Sequence, residues 1–306
     1  MNRCGQLGLI LLLGLSVSLP VSAQRLNKAI ELLANDEPAF GILAFDYSLN
    51  NARSLARSGL DFVIIDMEHA PYDVERLRSF LLGMTDKRSI LAKGSLQPDV
   101  VPIVRIPATG QEDLLAQVKQ VLDVGAFGVM YPSVNTAAEA TMAVRATRYP
   151  QLNGARDYEP RGLRGRNPSN AVWYWGIDDY YARADVWPLD PAGELLAIIQ
   201  IETREGVENI DEIVAVPGIG VIFIGPSDLS ADMGYASPAA PEVEEAMQTV
   251  LAACLDSGVA CAITTGQNSV EQRLAEGFRF VTVGADGGLS GNTTEALRRA
   301  RDSSGR

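Results

Sequence analysis

The chain has 306 residues, and its 26 basic against 38 acidic side chains give a formal net charge of −12 at pH 7. This acidic balance excludes nucleic acid and anionic membrane surfaces as expected partners. One histidine and three cysteines do not supply the ligands for a zinc site of thiolates and imidazoles.

Residues 1–23 have the layout of a secretory signal peptide. They contain a single Arg, an apolar stretch from Leu7 to Leu19 and a small-residue ending at Val21–Ala23, which together are typical of a cleaved leader. An uncleaved N-terminal anchor is the alternative. We predict cleavage, a periplasmic or secreted protein that does not associate with the membrane, and a mature chain, residues 24–306, that suits one large α/β domain.

Eight short apolar runs recur along the rest of the chain, and they alternate with segments of helical apolar spacing such as "EDLLAQVKQVLDVG". Runs of this kind, without polar alternation, predict a parallel sheet covered by helices. Eight such units predict a (β/α)8 TIM barrel. A doubly wound sheet is the alternative, although no strand leads into a glycine-rich nucleotide loop. The eight runs are Phe40–Phe45, Phe62–Asp66, Pro102–Ile106, Gly128–Tyr131, Leu196–Ile201, Gly220–Ile224, Ala260–Thr264 and Phe280–Val283.

One connection, residues 149–190, is much longer than the others. It includes all three tryptophans of the chain, Trp173, Trp175 and Trp187. A long loop in a compact domain is usually a lid or a binding loop. A loop that packs against a neighbouring subunit is the alternative.

Polar and charged residues follow the predicted strands, whereas the strands themselves are apolar. In a barrel of this type the reactive groups lie at the C-terminal ends of the strands. Glu202 and Asp228 follow neighbouring strands, and two carboxylates suit a hard divalent cation. A carboxylate pair held by arginines such as Arg204 is the alternative. The residues at the strand ends are Asp46, Asp66, Glu68, His69, Arg105, Pro132, Gln200, Glu202, Ser227, Asp228, Thr264 and Gly284.

Several segments of the chain carry a family resemblance. They include "GLDFVIIDMEHAPYD", "PIVRIPA", "AIIQIETREGVENIDEIV" and "VIFIGPSDLSADMGY". In combination they resemble the HpcH/HpaI aldolase family, the metal-dependent pyruvate aldolases of the phosphoenolpyruvate/pyruvate barrel superfamily, over most of residues 40–290. The resemblance implies a barrel whose C-terminal helix is exchanged between subunits, and a homo-oligomer that is commonly a hexamer.

The resemblance also implies a metal and substrate site. Glu202 and Asp228 would bind a divalent cation, Mg²⁺, Mn²⁺ or Co²⁺. Gln200, Asp228 and the backbone of Ser227 would contact the carboxylate or keto group of the substrate.

Three further residues receive catalytic roles from the same resemblance. Arg105 would stabilise the enolate oxygen, and His69 would be the base, with Asp123 of the "VLDVG" segment raising its basicity. His69 is the only histidine of the chain, and an imidazole is the side chain best suited to moving protons near neutral pH. We therefore predict that His69, Arg105 and Asp123 form the catalytic set.

The function implied is that of a class II aldolase, which cleaves 2-keto-4-hydroxy acids to pyruvate and an aldehyde. Two alternatives stay open: an exported protein that binds keto acids and metal without turnover, and a CoA-thioester lyase of the same superfamily. A Schiff-base mechanism needs a lysine at a strand end. The four lysines, Lys28, Lys87, Lys93 and Lys119, are predicted to lie in helices or at the opposite face, so this mechanism is disfavoured.

Three features depart from the family pattern or have no assigned role. Asp46 adds a charge after the first strand, where it would contact metal or substrate, or repel acidic aldehydes. The long connection, residues 149–190, is assigned to the aldehyde side of the site. Whether Cys254 and Cys261 form a disulfide is left open.

Overall fold

The computed structural model describes residues 24–107, 114–286 and 290–306. The predicted signal peptide, residues 1–23, lies outside the described residues. Eight parallel strands form a closed barrel in which each strand pairs with the next and the last pairs with the first. The strands are β1 Ala39–Ala44, β2 Phe62–Asp66, β3 Val101–Arg105, β4 Gly128–Tyr131, β5 Leu196–Ile201, β6 Val221–Ile224, β7 Ala260–Thr264 and β8 Phe280–Ala285. The predicted TIM barrel is therefore confirmed, with strand bounds shifted by two residues or fewer.

Helices connect the strands and cover the barrel. In the described residues they are α1 Lys28–Ala34, α2 Leu49–Leu55, α3 Val74–Gly83, α4 Lys87–Lys93, α5 Leu115–Asp123, α6 Ala137–Thr147, α7 Ser169–Trp175, α8 Tyr180–Arg183, α9 Arg204–Glu208, α10 Ile210–Val214, α11 Pro226–Asp232, α12 Pro241–Ser257, α13 Val270–Glu276 and α14 Gly291–Ser304. Local sequence sets several boundaries. Thr136 and Glu139 form a capping box at the start of α6, and Gly258 ends α12 in the left-handed conformation. Within the described part of the chain, none of these helices combines the length and apolarity that a membrane crossing requires.

Two aromatic rings pack together at the N-terminal ends of β2 and β8. Phe62 and Phe280 stack with their centroids 3.7 Å apart, and both are fully buried. A Cβ at Gly41 would lie 2.3 Å from the Phe62 ring, so only glycine fits at that position of β1. This packing closes the N-terminal end of the barrel, and the C-terminal ends of the strands remain for polar side chains.

The long connection lies at the N-terminal face of the barrel. It follows α6 and returns to β5, and Val186 bridges to Leu195 just before that strand. Trp175 stacks on Phe127 at a centroid distance of 4.4 Å, and Phe127 immediately precedes β4. The prediction that this connection forms the aldehyde side of its own chain's site is therefore wrong, because an αβ connection ends where a strand begins, opposite to the catalytic face.

The C-terminal helix packs on the barrel of its own chain, where α14 contacts α13 and β8. The last residue, Arg306, reaches the buried carboxylate of Asp61 with Nη1 at 3.0 Å from Oδ2. Arg301 and Lys28 also contact Asp61, at 3.4 and 2.8 Å. The exchange of α14 between subunits stays a prediction.

Cys254 and Cys261 are both free and buried. They lie on α12 and on the next strand, β7. Burial raises the pKa of the Cys261 thiol well above its usual value, and the neighbouring Cys254 adds to this shift. The Cys261 side chain therefore packs as a neutral thiol in the core, beside the buried Cys254.

Candidate active site

The centre of the candidate site is Glu202, which directly follows β5. Its side chain is almost fully buried, with 3% of the residue exposed. Its Oε1 accepts hydrogen bonds from the backbone N–H of Ser133 at 2.8 Å and from the Ser133 hydroxyl at 2.9 Å. Its Oε2 accepts a bond from the Gln200 amide. Among the described residues, the buried Oε1 of Gln200 has no hydrogen-bond partner, so this corner of the site can still accept a polar contact.

Ser133 is a site residue that the sequence interpretation missed. It lies two residues after β4 and has a φ of 51°, in the left-handed region that a residue other than glycine seldom adopts. This conformation points its N–H at Glu202. A residue held in a sparsely populated backbone region often marks a functional site. The sequence signal was weak: a serine after the strand in "YPSVN", beside the proline that was noted.

Gly225 closes the site from the side of β6. A Cβ at this position would lie 2.5 Å from Oε2 of Glu202 and 2.8 Å from Nε2 of Gln200. Glycine is therefore required because the two side chains need the space. The next residues, Pro226 to Asp228, begin α11 and bring Ser227 and Asp228 to the mouth of the barrel, where both are exposed.

Negative charge accumulates at this mouth. Burial, together with the charges of Glu68 and Asp228, raises the pKa of Glu202 to about 7 against the hydrogen bonds from Ser133. Burial also raises the pKa of Glu68, with smaller contributions from Asp66 and Asp228. A bound cation would favour the charged form of these crowded carboxylates and lower their pKa again. The donors are all oxygen atoms, which is the ligand type that a hard divalent cation prefers.

Arg105 brings the opposite charge to the same place. It is the last residue of β3, and it is nearly buried. Its guanidinium binds Asp66 at two points, with Nε–Oδ1 at 3.1 Å and Nη2–Oδ2 at 2.5 Å. Its Nη1 lies 3.0 Å from Oε2 of Glu68. Burial lowers the pKa of Arg105, but its bonds to Asp66 and the charges of Asp66, Glu68 and, least, Glu202 outweigh this and raise the pKa. The arginine therefore lies within electrostatic reach of the metal-ligand candidate Glu202.

His69 lies at the rim of the site. Its side chain is 56% exposed, and Nε2 is 3.5 Å from Oε2 of Glu68. The loop that carries it is fixed by Asp66, whose Oδ1 accepts from the backbone N–H groups of Glu68 and His69 at 2.9 and 3.3 Å. An exposed imidazole on a fixed loop beside Arg105 can exchange protons with a substrate hydroxyl or with solvent.

Asp123 does not join this group within one chain. It is the last residue of α5, at the N-terminal end of the barrel, and its Oδ1 lies 2.7 Å from Nη2 of the buried Arg164. Burial raises the pKa of Asp123 even though Arg164 lowers it. The expected contact between Asp123 and His69 is therefore not formed inside the chain, because α5 runs antiparallel to the strands and carries Asp123 away from the catalytic face.

Asp46 forms hydrogen bonds with a residue close to it in the chain. Its carboxylate accepts hydrogen bonds from the backbone N–H of Ser48 at 2.8 Å and from the Ser48 hydroxyl at 2.9 Å. Ser48 in turn is the N-cap of α2. Asp46 therefore shapes the turn before α2, although it stays exposed at the catalytic face.

A different acidic cluster lies away from the mouth. Asp157, Asp185 and Asp190 have carboxylate oxygens within 4.8 Å of one another. The buried guanidinium of Arg148 already pairs with Asp157 at 2.6 Å and with Asp185 at 2.5 Å. This cluster belongs to the long connection at the N-terminal face, and its arginine supplies the positive charge that the carboxylates need.

The four lysines all lie on helices: Lys28 begins α1, Lys87 and Lys93 bound α4, and Lys119 lies in α5. A Schiff-base mechanism therefore has no lysine at a strand end.

The C-terminal mouth of the parallel barrel combines carboxylates, an amide, a guanidinium and an imidazole. This set of groups suits aldol chemistry without a lysine Schiff base. The protein is a carbon–carbon lyase. The HpcH/HpaI aldolase/citrate lyase family matches residues 47–293, and the chain belongs to this family.

Individual relatives agree with this assignment. The chain is 37% identical over 264 residues to 4-hydroxy-2-oxo-heptane-1,7-dioate aldolase of Escherichia coli, covering 85% of this chain and 89% of the relative. It is 33% identical over 249 residues to 5-keto-4-deoxy-D-glucarate aldolase of Citrobacter koseri, with coverages of 80% and 85%. A solved HpcH/HpaI aldolase/citrate lyase family protein of Burkholderia cenocepacia is 33% identical and has a TM-score of 0.71, covering 90% of this chain and 96% of the other.

Proposed function

We propose that the protein is a class II aldolase that uses Mg²⁺, Mn²⁺ or Co²⁺ to cleave 2-keto-4-hydroxy acids to pyruvate and an aldehyde. The observation that carries the proposal is the buried pair of Gln200 and Glu202, which combines an unpartnered amide oxygen with a carboxylate crowded by other negative charges. The names of the two aldolases from Escherichia coli and Citrobacter koseri describe keto acids of this general type.

Glu202 and Asp228 are the residues that would hold the cation. The fit rests on their oxygen donors and on the raised pKa of Glu202, which a neighbouring positive charge would lower again. When bound, the cation supplies Lewis-acid polarisation of the keto group. Gln200 and the backbone N–H of Ser227 would orient the substrate carboxylate beside it.

Arg105 and His69 perform the proton and charge chemistry of the proposed reaction. His69 accepts the proton of the C4 hydroxyl as the C3–C4 bond breaks. The electron pair of that bond moves to C3 and delocalises onto the C2 oxygen, where the guanidinium of Arg105 stabilises the negative charge. C3 then gains a proton and becomes the methyl group of pyruvate. Asp66 and Glu68 hold Arg105 in place for this role.

Methyl-proton exchange of pyruvate in D₂O tests the proposal, because exchange requires the enolate but no aldehyde. We expect the metal-loaded protein to exchange the methyl protons and to cleave 4-hydroxy-2-keto acids, and a chelator to stop both reactions. Added Mg²⁺, Mn²⁺ or Co²⁺ should restore them. A protein that binds pyruvate with metal, yet exchanges no protons with any of these cations, is a binding protein and not an aldolase.

We also propose that the protein is a homo-oligomer, and that a hexamer is the form to test first. The position of Asp123 supports this proposal, since its predicted coupling to His69 needs a second copy of the chain. Mixing His69→Ala and Asp123→Asn subunits tests it. If the coupling crosses subunits, random reassembly should return about a quarter of the sites to their native composition. If mixing restores no activity, Asp123 acts only through its own Arg164.

For the location, we propose that residues 1–23 direct export and that the mature protein begins at Gln24. The contacts made by Gln24 and the residues after it support a mature chain that begins at Gln24. The backbone N–H groups of Leu26 and Asn27 donate to the buried Glu194 at 3.0 and 2.8 Å, and Arg183 donates to the Gln24 carbonyl. Mass analysis of the soluble protein should give the mass from Gln24 onward in the periplasm or medium. Retention of Met1 on cytosolic protein would falsify this proposal.

A further inference from the structure

The loop between β1 and α2 is held against the end of β8 by one carboxylate. Asp286 directly follows β8, and its two oxygens accept from the backbone N–H groups of Phe45 at 2.8 Å and Asp46 at 3.3 Å. The side-chain amide of Asn51 donates to the same carboxylate and, at 2.7 Å, to the Asp46 carbonyl. The N–H of Asp286 donates to the Leu43 carbonyl at 2.9 Å. These bonds fix the backbone of the loop on both sides of Asp46, so the next residue has a defined position.

That next residue, Tyr47, extends from the loop towards β2. Its ring is partly buried and lies edge-on to the Phe80 ring of α3, with the centroids 6.5 Å apart. Its hydroxyl donates to the backbone carbonyl of Asp66. Burial, followed by the charge of Asp66, raises the pKa of this hydroxyl. Tyr47 therefore keeps its proton and remains a hydrogen-bond donor to the end of β2.

Asp66 connects this bond to a catalytic group. It is fully buried, and as the last residue of β2 it is paired in register with Arg105 at the end of β3. Its carboxylate holds the Arg105 guanidinium at two points. The place of this carboxylate depends on the backbone of Asp66, which the Tyr47 hydroxyl contacts where the strand ends. Because a displacement of a catalytic group by about 1 Å can cost roughly 10²-fold in rate, the bond from Tyr47 bears on catalysis.

We propose that Tyr47 is a positioning residue for the reaction: it fixes the backbone of Asp66 and thereby aligns the guanidinium of Arg105. The inference rests on the proposed aldolase function, and it adds a residue that acts through Arg105 and not on the substrate. In the proposed mechanism Arg105 stabilises charge that develops only as the enolate forms. Loss of its alignment should therefore lower kcat and leave KM nearly unchanged. A side chain with a merely structural role would not produce this split.

The test compares Tyr47→Phe with a matched control, Tyr72→Phe. Each variant removes one hydroxyl and keeps its aromatic ring. The Tyr72 hydroxyl belongs to the loop between β2 and α3, and it bonds to Oε1 of Gln120 at 2.9 Å instead of to Asp66. The probe is pyruvate alone, whose methyl-proton exchange in D₂O by the metal-loaded protein gives kcat and KM without an aldehyde.

We expect Tyr47→Phe to lower kcat for exchange by about tenfold, as the loss of one buried hydrogen bond allows, and to change KM for pyruvate by less than about twofold. Tyr72→Phe should change neither value. An unchanged kcat in Tyr47→Phe, equal losses in the two variants, or an effect that falls on KM alone overturns the inference.

A second measurement combines Tyr47→Phe with Asp66→Asn. In Asp66→Asn the two-point contact with Arg105 is already broken, so the added loss of the Tyr47 hydroxyl should lower kcat by less than about a further twofold. A further loss as large as in the otherwise unmodified protein would show that Tyr47 acts independently of the Asp66–Arg105 pair, which contradicts the inference. Absence of exchange in the unmodified protein contradicts the proposed function itself, whereas exchange that Tyr47→Phe leaves undiminished contradicts only the role of Tyr47.

Discussion

Arg105 and Asp66 are directly paired in the register of β2 and β3, and their side chains form a two-point ion pair. Both Nε–Oδ1 and Nη2–Oδ2 contacts are within hydrogen-bond distance, at 3.1 and 2.5 Å. Two parallel bonds to one carboxylate fix the plane of a guanidinium as well as its position. Asp66 is fully buried, so this orientation is set by the barrel and does not depend on the substrate.

The first prediction concerns the Asp66→Asn variant. Its Oδ1 can still accept from the N–H groups of Glu68 and His69, so the loop should keep its conformation. Its Nδ2 would face Nη2 of Arg105, donor against donor, and turn the guanidinium. Because misplacement of a catalytic group by about 1 Å can cost roughly 10²-fold, kcat should fall by about that factor while metal affinity is retained. Asp73→Asn, which removes a nearby charge without touching Arg105, is the control and should retain full turnover.

The second prediction is that His69→Ala lowers turnover by about 10²–10⁴-fold, the usual contribution of a positioned acid–base group. Metal affinity, followed by calorimetry, should survive because the imidazole lies at the exposed rim, with Nε2 3.5 Å from Glu68, and is not one of the proposed metal ligands. Unchanged turnover in this variant would remove His69 from the mechanism and leave solvent as the base.

The third prediction concerns Glu202→Gln. The amide keeps the shape of the side chain but removes one ligand charge, so the affinity for Mn²⁺ and kcat should both fall. The melting temperature of the metal-free protein should change little, because losing the hydrogen bond from Gln200 is offset by removing a buried charge that folding disfavours. Glu205→Gln, an exposed neighbour on α9, is the matched control. Equal metal affinity in the two variants would place the cation elsewhere.

The fourth prediction compares the two tryptophans of α7, of which one is buried and the other is exposed. Trp175 is 2% exposed, stacks on Phe127 and donates Nε1–H to the Gly125 carbonyl at 2.9 Å. Trp175→Ala should lower the free energy of unfolding by about 3–5 kcal/mol. Trp173 is 73% exposed, so Trp173→Ala should stay within about 0.5 kcal/mol. Neither variant should alter the relative kcat/KM for different aldehydes; a shift in that preference would return the long connection to the substrate site.

The fifth prediction is a pH dependence of stability at the N-terminal face. Burial alone raises the pKa of Asp61, but the bonds from Arg306 and Lys28 outweigh it and hold the pKa below its ordinary value. A carboxyl whose pKa is lowered by folding contributes stability above its unfolded pKa of about 3.9 and loses it as the pH falls through the folded pKa.

Asp61→Asn should accordingly cost roughly 1.5–3 kcal/mol near neutral pH, because it weakens the charge-assisted contacts with the partly exposed side chains of Arg306 and Lys28. Urea unfolding from pH 7 to pH 3 should show the difference between the two proteins shrinking below about pH 4. Asp36→Asn is the control, because the carboxylate of Asp36 is 87% exposed and lies 3.3 Å from Nε of Arg279. A difference that stays constant across this range contradicts the electrostatic origin.

The sequence by itself determined the barrel and the composition of its mouth. Short β-branched runs such as Phe62–Asp66 specify buried parallel strands locally, because both faces of each strand must be apolar. Closure then follows from eight such units, and it places residues after each strand at one rim. Arg105, Glu202 and His69 could therefore be assigned to a common face from their positions in the chain alone.

Only the tertiary structure decided which of these side chains meet and which lie apart. The bond between Ser133 and Glu202 spans 69 residues and depends on a left-handed backbone at Ser133 that no local signal specified. Asp123 was expected beside His69, but α5 carries it to the other end of the barrel, where it pairs with Arg164, 41 residues later. The face on which residues 149–190 lie is set by strand direction, since a connection from a helix to a strand must end at the N-terminal side. Composition and periodicity report how a residue is buried locally, whereas a partner far along the chain is fixed by how the strands close.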